Sequence, residues 1–473
     1  MTEENGKGHV HGPGCGHGHE GDGHVHGPGC GHPLHGEPGH VHDASYPHGG
    51  GDKAFDLVVL NIGTLVTPTG SKPKAGAAQS EVRVIRNAWV GIKDGVITEI
   101  GGMDDGRGKA EELAQQVVNA NGLLVTPGLV DSHTHLAFGG WRHKELALKL
   151  KGVPYLEILK GGGGILSTVR ATRAASVGSL VQKGLWVLDQ MLAHGTTTVE
   201  AKSGYGLSVE DEMKQLEALA QMAGEHEVDM VPTFMGAHAV PQEYIEDRDA
   251  YVDLVCEKMI PEAAARGLAA YCDVFCEKGA FTPQETERII EKAKSFGLGG
   301  KVHADEINDT GAAGLAARLG AITAEHLIHA AEPGLMSMAE AGTIAVLLPC
   351  TSFYLNEDYA DARKMIELGI PVAVATDFNP GSTPNLNLQT AMTIALLKYR
   401  MLPEEVLTAV TLNAAAAIGL AGSHGSIEVG KSGDLVVWEA PDLDYLLYRY
   451  GTNMVTAVVK AGKVHGLHDG HGH

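Results

Sequence analysis

Two histidines spaced two residues apart, His133 and His135, stand at the end of the apolar run Leu123-Leu-Val-Thr-Pro-Gly-Leu-Val130. In extended backbone, residues i and i+2 share a face, so both imidazoles can converge on one ion. His303 ends a second run, Gly300-Lys-Val-His303, and Asp377 follows a third, Val372-Ala-Val-Ala-Thr376. A polar group alone at the end of a buried strand is costly unless something partners it. Three imidazoles and a carboxylate suit Zn²⁺ or Fe²⁺ and leave room for a water. Further polar groups follow other apolar runs: Lys202-Ser-Gly-Tyr205, His238, Glu306, His326, and Asn379 with Gly381 and Ser382.

The elements that position these residues are short strands. Thr196–Glu200, Met230–Phe234, Ala270–Phe275, Ala321–His326 and Thr343–Leu348 bring the apolar runs to eight, most followed by helical text. Eight βα units between about 124 and 420 predict a closed (β/α)₈ barrel, whose functional groups gather at the C-terminal strand ends. An open doubly wound sheet is the alternative, but no Gly-x-Gly-x-x-Gly opens the first helix. Gly161-Gly-Gly-Gly164 has no following Lys and reads as a mobile substrate loop.

Strand text flanks the barrel: Asp56–Asn61, a hairpin over Trp89–Ile100 turning at Asp94-Gly95, then Gly433–Trp438 and Met454–Val464. The fold class is therefore α/β, a TIM-like barrel over 124–420 plus a small β-sandwich domain built from 53–123 and 421–464. The remaining tails, 1–52 and 465–473, hold fifteen of the 25 histidines. The segment Gly8-His-Val-His-Gly-Pro-Gly-Cys-Gly-His17 recurs at Gly23–His32. Such Gly- and Pro-punctuated text builds no core and reads as disordered without metal.

Composition narrows the function classes. A net charge of −22 opposes a polyanionic partner, so nucleic acid is not expected. No stretch of about 18 apolar residues spans a membrane, and Met1-Thr-Glu-Glu-Asn5 opens no secretory signal. Six cysteines in 473 residues suit a reduced, cytoplasmic protein. Cys256, Cys272, Cys276 and Cys350 read as core packing.

Taken together, the motifs are specific. They are Val130-Asp-Ser-His-Thr-His-Leu-Ala-Phe-Gly-Gly140, Ser167–Ala175, Lys202-Ser-Gly-Tyr-Gly-Leu207, Gly236–Pro241, Asp273–Gly279, His303-Ala-Asp-Glu306 and Ala375-Thr-Asp-Phe-Asn-Pro-Gly-Ser382. The chain resembles, over roughly 55–465, the amidohydrolase superfamily of metal-dependent barrel hydrolases and, within it, the imidazolonepropionase family of histidine degradation. The resemblance implies one Zn²⁺ or Fe²⁺/Fe³⁺ on His133, His135, His303 and Asp377. It implies that Arg142 and Tyr205 hold the propionate and ring of 4-imidazolone-5-propionate, that His238 contacts the imidazolone, and that Glu306 binds substrate and handles the proton of water. Asn379, Gly381 and Ser382 would touch substrate or the N-formimino-L-glutamate product. A homodimer is also what the family suggests. The two His-rich tails depart from the family pattern.

Glu306, three residues from His303, can take a proton from water and give it to a leaving nitrogen. His326 can hydrogen-bond a developing oxyanion, and Arg142 offers a planar fork to a carboxylate. The catalytic set is thus Glu306, His326, Asp377 and His238; which of Glu306, His326 and Asp377 moves the proton at each step stays open. A modified, metal-bridging Lys202 is a minor alternative. Another cyclic amidohydrolase or a deaminase could use the same barrel, but a neutral nucleobase needs no Arg142. A metal store, with extra metal ions on the tails, would explain them but needs no Glu306, Asn379 or Ser382.

Overall fold

The computed structural model describes residues 53–102, 107–153, 157 and 162–466. The tail expected over 1–52, and the C-terminal one beyond Gly466, lie outside the described residues.

Alternating apolar text forms β1 (Phe55–Thr67), β2 (Arg83–Lys93), β3 (Val96–Gly102), β4 (Ala114–Asn119) and β5 (Leu124–Pro127). The β2–β3 turn is Asp94-Gly95, both at positive φ (49° and 76°), the geometry that a two-residue hairpin with right-handed twist requires. Eight strands follow: β6 (Leu129–Asp131), β7 (Thr196–Lys202), β8 (Asp229–Ala237), β9 (Tyr271–Cys276), β10 (Gly299–Ala304), β11 (Thr323–His326), β12 (Ile344–Leu347) and β13 (Val372–Val374). The chain ends in β14 (Leu435–Trp438), β15 (Val455–Lys460) and β16 (Lys463–His465).

The first five strands and the last three form one mixed sheet, ordered β16-β15-β14-β5-β1-β2-β3, with β4 also paired to β1. Strands β6 to β13 are all parallel and ordered as in sequence, the barrel. Their ring is completed just past the strand ends, where Thr134 bridges Phe378 in parallel register. Asp377 N donates to His133 O at 3.0 Å, and His135 N donates to Phe378 O at 2.9 Å.

One expected barrel strand divides. The run 123–130 gives β5 to the mixed sheet, beside β1 and β14, and only β6 to the barrel. The change of sheet falls at Pro127-Gly128. A Cβ on Gly128 would stand 2.2 Å from Thr197 Oγ1, so only glycine lets the chain pass there.

Helices on the outside present apolar stripes to the strands. In Val177–Ala193, Leu180, Val187, Leu188 and Met191 are buried, and the Ser176 hydroxyl caps the first turn by accepting from Ser179 N. Pro283–Ser295 starts with a full capping box between Thr282 and Glu285. Among the described residues no helix is long and apolar enough to cross a membrane.

Candidate active site

His133, His135, His303 and Asp377 meet at the C-terminal mouth of the barrel, each at most 3% exposed. Asp377 Oδ1 lies 3.4 Å from His133 Nε2 and 3.5 Å from His135 Nε2. Bonds of about 2.0–2.1 Å around a tetrahedral ion separate neighbouring donors by about 3.3 Å, so these atoms already lie near the spacing such an ion needs. The His303 ring centre is 4.6 Å from that of His133 and 5.5 Å from that of His135. Nε2 of His133 and of His303 is buried with no hydrogen-bond partner, an arrangement that costs free energy unless a ligand fills it. The residues therefore fit a divalent cation. His326 comes as close: its ring nitrogen groups with those of His133 and His303 within 4.8 Å.

The neighbours set the protonation states. Burial pushes the Asp377 carboxyl up, but the hydrogen bond and charge of His133, with the Thr351 hydroxyl, hold it down to about 2. That hydroxyl donates to Oδ2 at 2.6 Å. Burial, then repulsion from His303, holds His326 near 3, so its imidazole is neutral. Glu306 is pushed up to about 8 by burial, with the charges of Asp377 and Glu277 adding to it. Its Oε2 is 3.6 Å from His326 Nε2, just beyond hydrogen-bond reach.

Two carboxylates fix the loop that carries Glu306. Glu277 Oε2 accepts from Ile307 N (2.9 Å) and Asn308 N (3.2 Å). Asp305 accepts from Thr310 N (2.8 Å), Ala312 N (3.1 Å) and Ala313 N (3.0 Å). A third, Glu212, fixes the loop of Tyr205 by accepting from Gly204, Gly206 and Leu207 N–H groups at 2.8–3.0 Å. His238 stacks on His135, ring centres 5.0 Å apart. Its Nδ1 lies 3.0 Å from Gly204 O, a carbonyl that can only accept. Burial, then His303, holds the His238 imidazole near 3, so it is neutral with Nε2 free to accept.

Arg142 lies across the loop after β13. A Cβ on Gly381 would fall 0.9 Å from Arg142 Nη2, so the guanidinium occupies the space that glycine leaves. Its Nε has no hydrogen-bond partner, and among the described residues no carboxylate pairs with it. Lys183 braces the same segment, donating to Phe138 O at 2.9 Å with its ammonium 3.1 Å from the Phe138 ring centre. Asn379 spends its amide inside its own loop: Oδ1 accepts from Gly381 N and Ser382 N, and Nδ2 donates to Asp377 O and Ser382 Oγ, all at 2.8 Å.

Behind the histidines is a group of fully buried charges: Lys202, weighed above as a bridging alternative, and Glu200, Asp273, Lys301 and Glu325, for which the sequence alone suggested no role. His303 Nδ1 donates to Asp273 Oδ1 at 3.0 Å. Glu325 Oε2 lies 2.6 Å from His133 Nδ1, close but off the ring N–H direction. Lys202 Nζ sits among carboxylates, 2.6 Å from Glu200 Oε1 and 2.8 Å from Asp273 Oδ2. Burial alone would lower its pKa, but Asp273, Glu200 and Glu325 raise it far above the usual lysine range and keep it an ammonium. The available signal was charge at period two on strands otherwise apolar: Glu200 and Lys202 on β7, Lys301 and His303 on β10.

Other histidines and the cysteines read as core packing stay outside the site. His143 and His329 are exposed, His226 lies 3.2 Å from Asp189, and His424 lies 2.8 Å from Asp229. Cys256, Cys272, Cys276 and Cys350 are buried and free, their thiols pushed up by burial, Cys350 to about 12.

Residues 124–466 match the model of the amidohydrolase family. The imidazolonepropionase of Alkaliphilus metalliredigens is 51% identical over 416 residues, covering 86% of this chain and 97% of the relative. That of Alkaliphilus oremlandii is 50% identical over 412 residues, covering 87% and 98%. A zinc-bound adenosine deaminase from Xanthomonas campestris, 21% identical, superposes with a TM-score of 0.64 over 87% of this chain and 93% of its own, a likeness of fold alone.

One equivalent of tightly held divalent ion should disappear from the full chain when His303 or Asp377 is replaced by Ala. The loss of affinity should exceed the roughly 10–100-fold that removing an outer partner causes. Metal analysis after dialysis against a graded chelator reads this; retention of that equivalent would place the ion elsewhere.

Proposed function

The chain belongs to the imidazolonepropionase family of the amidohydrolases, and from that membership we propose how its residues share the reaction. The enzyme hydrolyses the lactam C–N bond of 4-imidazolone-5-propionate and yields N-formimino-L-glutamate. The observation that carries this reading over a deaminase on the same barrel is Arg142. A guanidinium held against Gly381 beside the histidines, with no acidic partner among the described residues, suits an anionic arm of the substrate.

His133, His135, His303 and Asp377 would hold the ion, with Zn²⁺ and Fe²⁺ both suited to the donor set. When bound, it lowers the pKa of water and polarises the carbonyl. Glu306 takes a proton from the water whose oxygen attacks the lactam carbon, then delivers it to the ring nitrogen as the C–N bond breaks. A carboxyl raised by burial is matched to accepting and returning a proton near neutral pH. His326, neutral, donates to the carbonyl oxygen as negative charge develops there. His238 accepts from a ring N–H through Nε2, and Tyr205 walls the ring. Arg142 takes the propionate, while Asn379, Gly381 and Ser382 shape the wall it rests on.

Four buried free thiols suit a reducing cytoplasm, and the net charge of −22 opposes nucleic acid as a partner. A homodimer is carried over from the family. We further assign the eleven histidines of residues 1–50 to metal capture: repeated His-x-His pairs offer imidazole donors suited to Zn²⁺, Ni²⁺ or Cu²⁺.

Glu306→Gln should lower kcat by about 10²–10⁴ in a metal-replete preparation. A loss below about fivefold would move the proton transfer to Asp377 or His326. Arg142→Ala should cost roughly 2–5 kcal/mol of transition-state binding, about 30- to 5,000-fold in kcat/KM for imidazolone propionate. An unchanged KM would favour a substrate without a carboxylate arm. Stripped enzyme given one equivalent of Zn²⁺ should regain activity faster with residues 1–50 than without them, at equal kcat once loaded. Equal recovery would leave the tail no part in supplying the site.

A further inference from the structure

We propose that Lys202 and Lys301 are positioning residues for the metal centre, acting on its ligands through Asp273 and Glu325 without touching the ion. The proposal rests on the reading that His133 and His303 are ligands. Glu200 and Lys202 lie two apart on β7, Lys301 two before His303 on β10, Asp273 on β9 and Glu325 on β11. Lys202 Nζ lies 2.6 Å from Glu200 Oε1, 2.8 Å from Asp273 Oδ2 and 3.3 Å from Glu325 Oε2. Lys301 Nζ lies 3.3 Å from Glu200 Oε1 and 3.2 Å from Glu325 Oε1.

The carboxylates face two ways. Asp273 gives Oδ2 to Lys202 and Oδ1 to His303; Glu325 gives Oε1 to Lys301 and sets Oε2 between Lys202, His133 and His303, 3.4 Å from the last. His303 is thereby hydrogen-bonded at Nδ1 and His133 has a carboxylate oxygen beside its Nδ1, an arrangement that turns each Nε2 toward the ion. The braces hold only while the ammonium groups keep two buried carboxylates beside one another, because unpaired charges are unstable without solvent. The charges also sum usefully. Three carboxylates and two ammonium groups leave one negative charge, and Asp377 adds a second, matching a divalent ion among neutral imidazoles.

Lys202→Met separates position from charge by the sign of its effect. If Lys202 positions the ligands, Zn²⁺ affinity of the full chain falls about 10- to 100-fold, read by competition with a chromophoric chelator. The ligand-field bands of the Co²⁺-loaded protein shift as well. If the lysine only balances charge, the extra negative charge makes Zn²⁺ bind more tightly. Lys202→Met/Asp273→Asn returns the charge count and keeps an oxygen that accepts from His303, so it should recover part of the loss. His303→Ala supplies the background of ions held by the tails. Parent and His303→Ala chains with equal Zn²⁺ binding would overturn the ligand reading itself. A difference between them, with Lys202→Met unchanged or tighter, would overturn only the positioning role. Folding is checked by circular dichroism. If Lys202→Met does not fold, Lys301→Met and Asp273→Asn take its place with the same expected direction, and parent-strength binding in either defeats the proposal.

Discussion

Two backbone hydrogen bonds hold the barrel's seam and the reactive centre together. The pair between Asp377 N and His133 O, and between His135 N and Phe378 O, joins the first barrel strand to the last. The same peptide units carry three of the four proposed ligands, so closing the ring and assembling the donor set are one event. Asp377 sits at φ 55°, a left-handed conformation that non-glycine residues adopt only under constraint. The constraint is visible one residue earlier. Asp131 accepts from Thr376 N at 3.1 Å and from the Thr376 hydroxyl at 2.6 Å. That grip lets Asp377 give its N–H to the seam and its carboxylate to the centre.

Around the seam, the loops that carry Tyr205, Glu306 and Arg142 are each stiffened by an inward carboxylate or cation. Glu212 does this for Tyr205, Glu277 and Asp305 for Glu306, and Lys183 with Gly381 for Arg142. Loops are the usual place for soft backbone, yet catalysis rewards geometry kept within a fraction of an ångström. Carboxylates accepting several backbone N–H groups reconcile the two demands.

The legible part of the site was the part that stands alone in sequence. His133 with His135, His303 and Asp377 each end an apolar run, and a lone polar group there is conspicuous. What stayed hidden depends on neighbours across strands. Glu325 matters because His133, some 190 residues earlier, turns its Nδ1 side toward it, and no local pattern announces that. At Gly381 the space that a side chain would take is filled by Arg142, a steric relation between distant segments. The run 123–130 looked like one strand because its apolar character is continuous. Only the passage beside Thr197 shows that the chain changes sheets at Gly128. Barrel topology was legible because βα periodicity is local and repeats eight times.

The mixed sheet has a temporal consequence. Strand β5 is flanked by β1 on one side and β14 on the other, yet β14 follows it by about 310 residues. At about 5–20 residues per second, a ribosome delivers β14 roughly 15–60 s after β5. Throughout that interval the nascent chain carries an open strand edge, Leu124-Val-Thr-Pro127, whose side chains are all buried in the finished protein. Such an edge is a template for pairing with other chains. The sheet that opens with β1 is therefore completed only once β14, β15 and β16 have been synthesised.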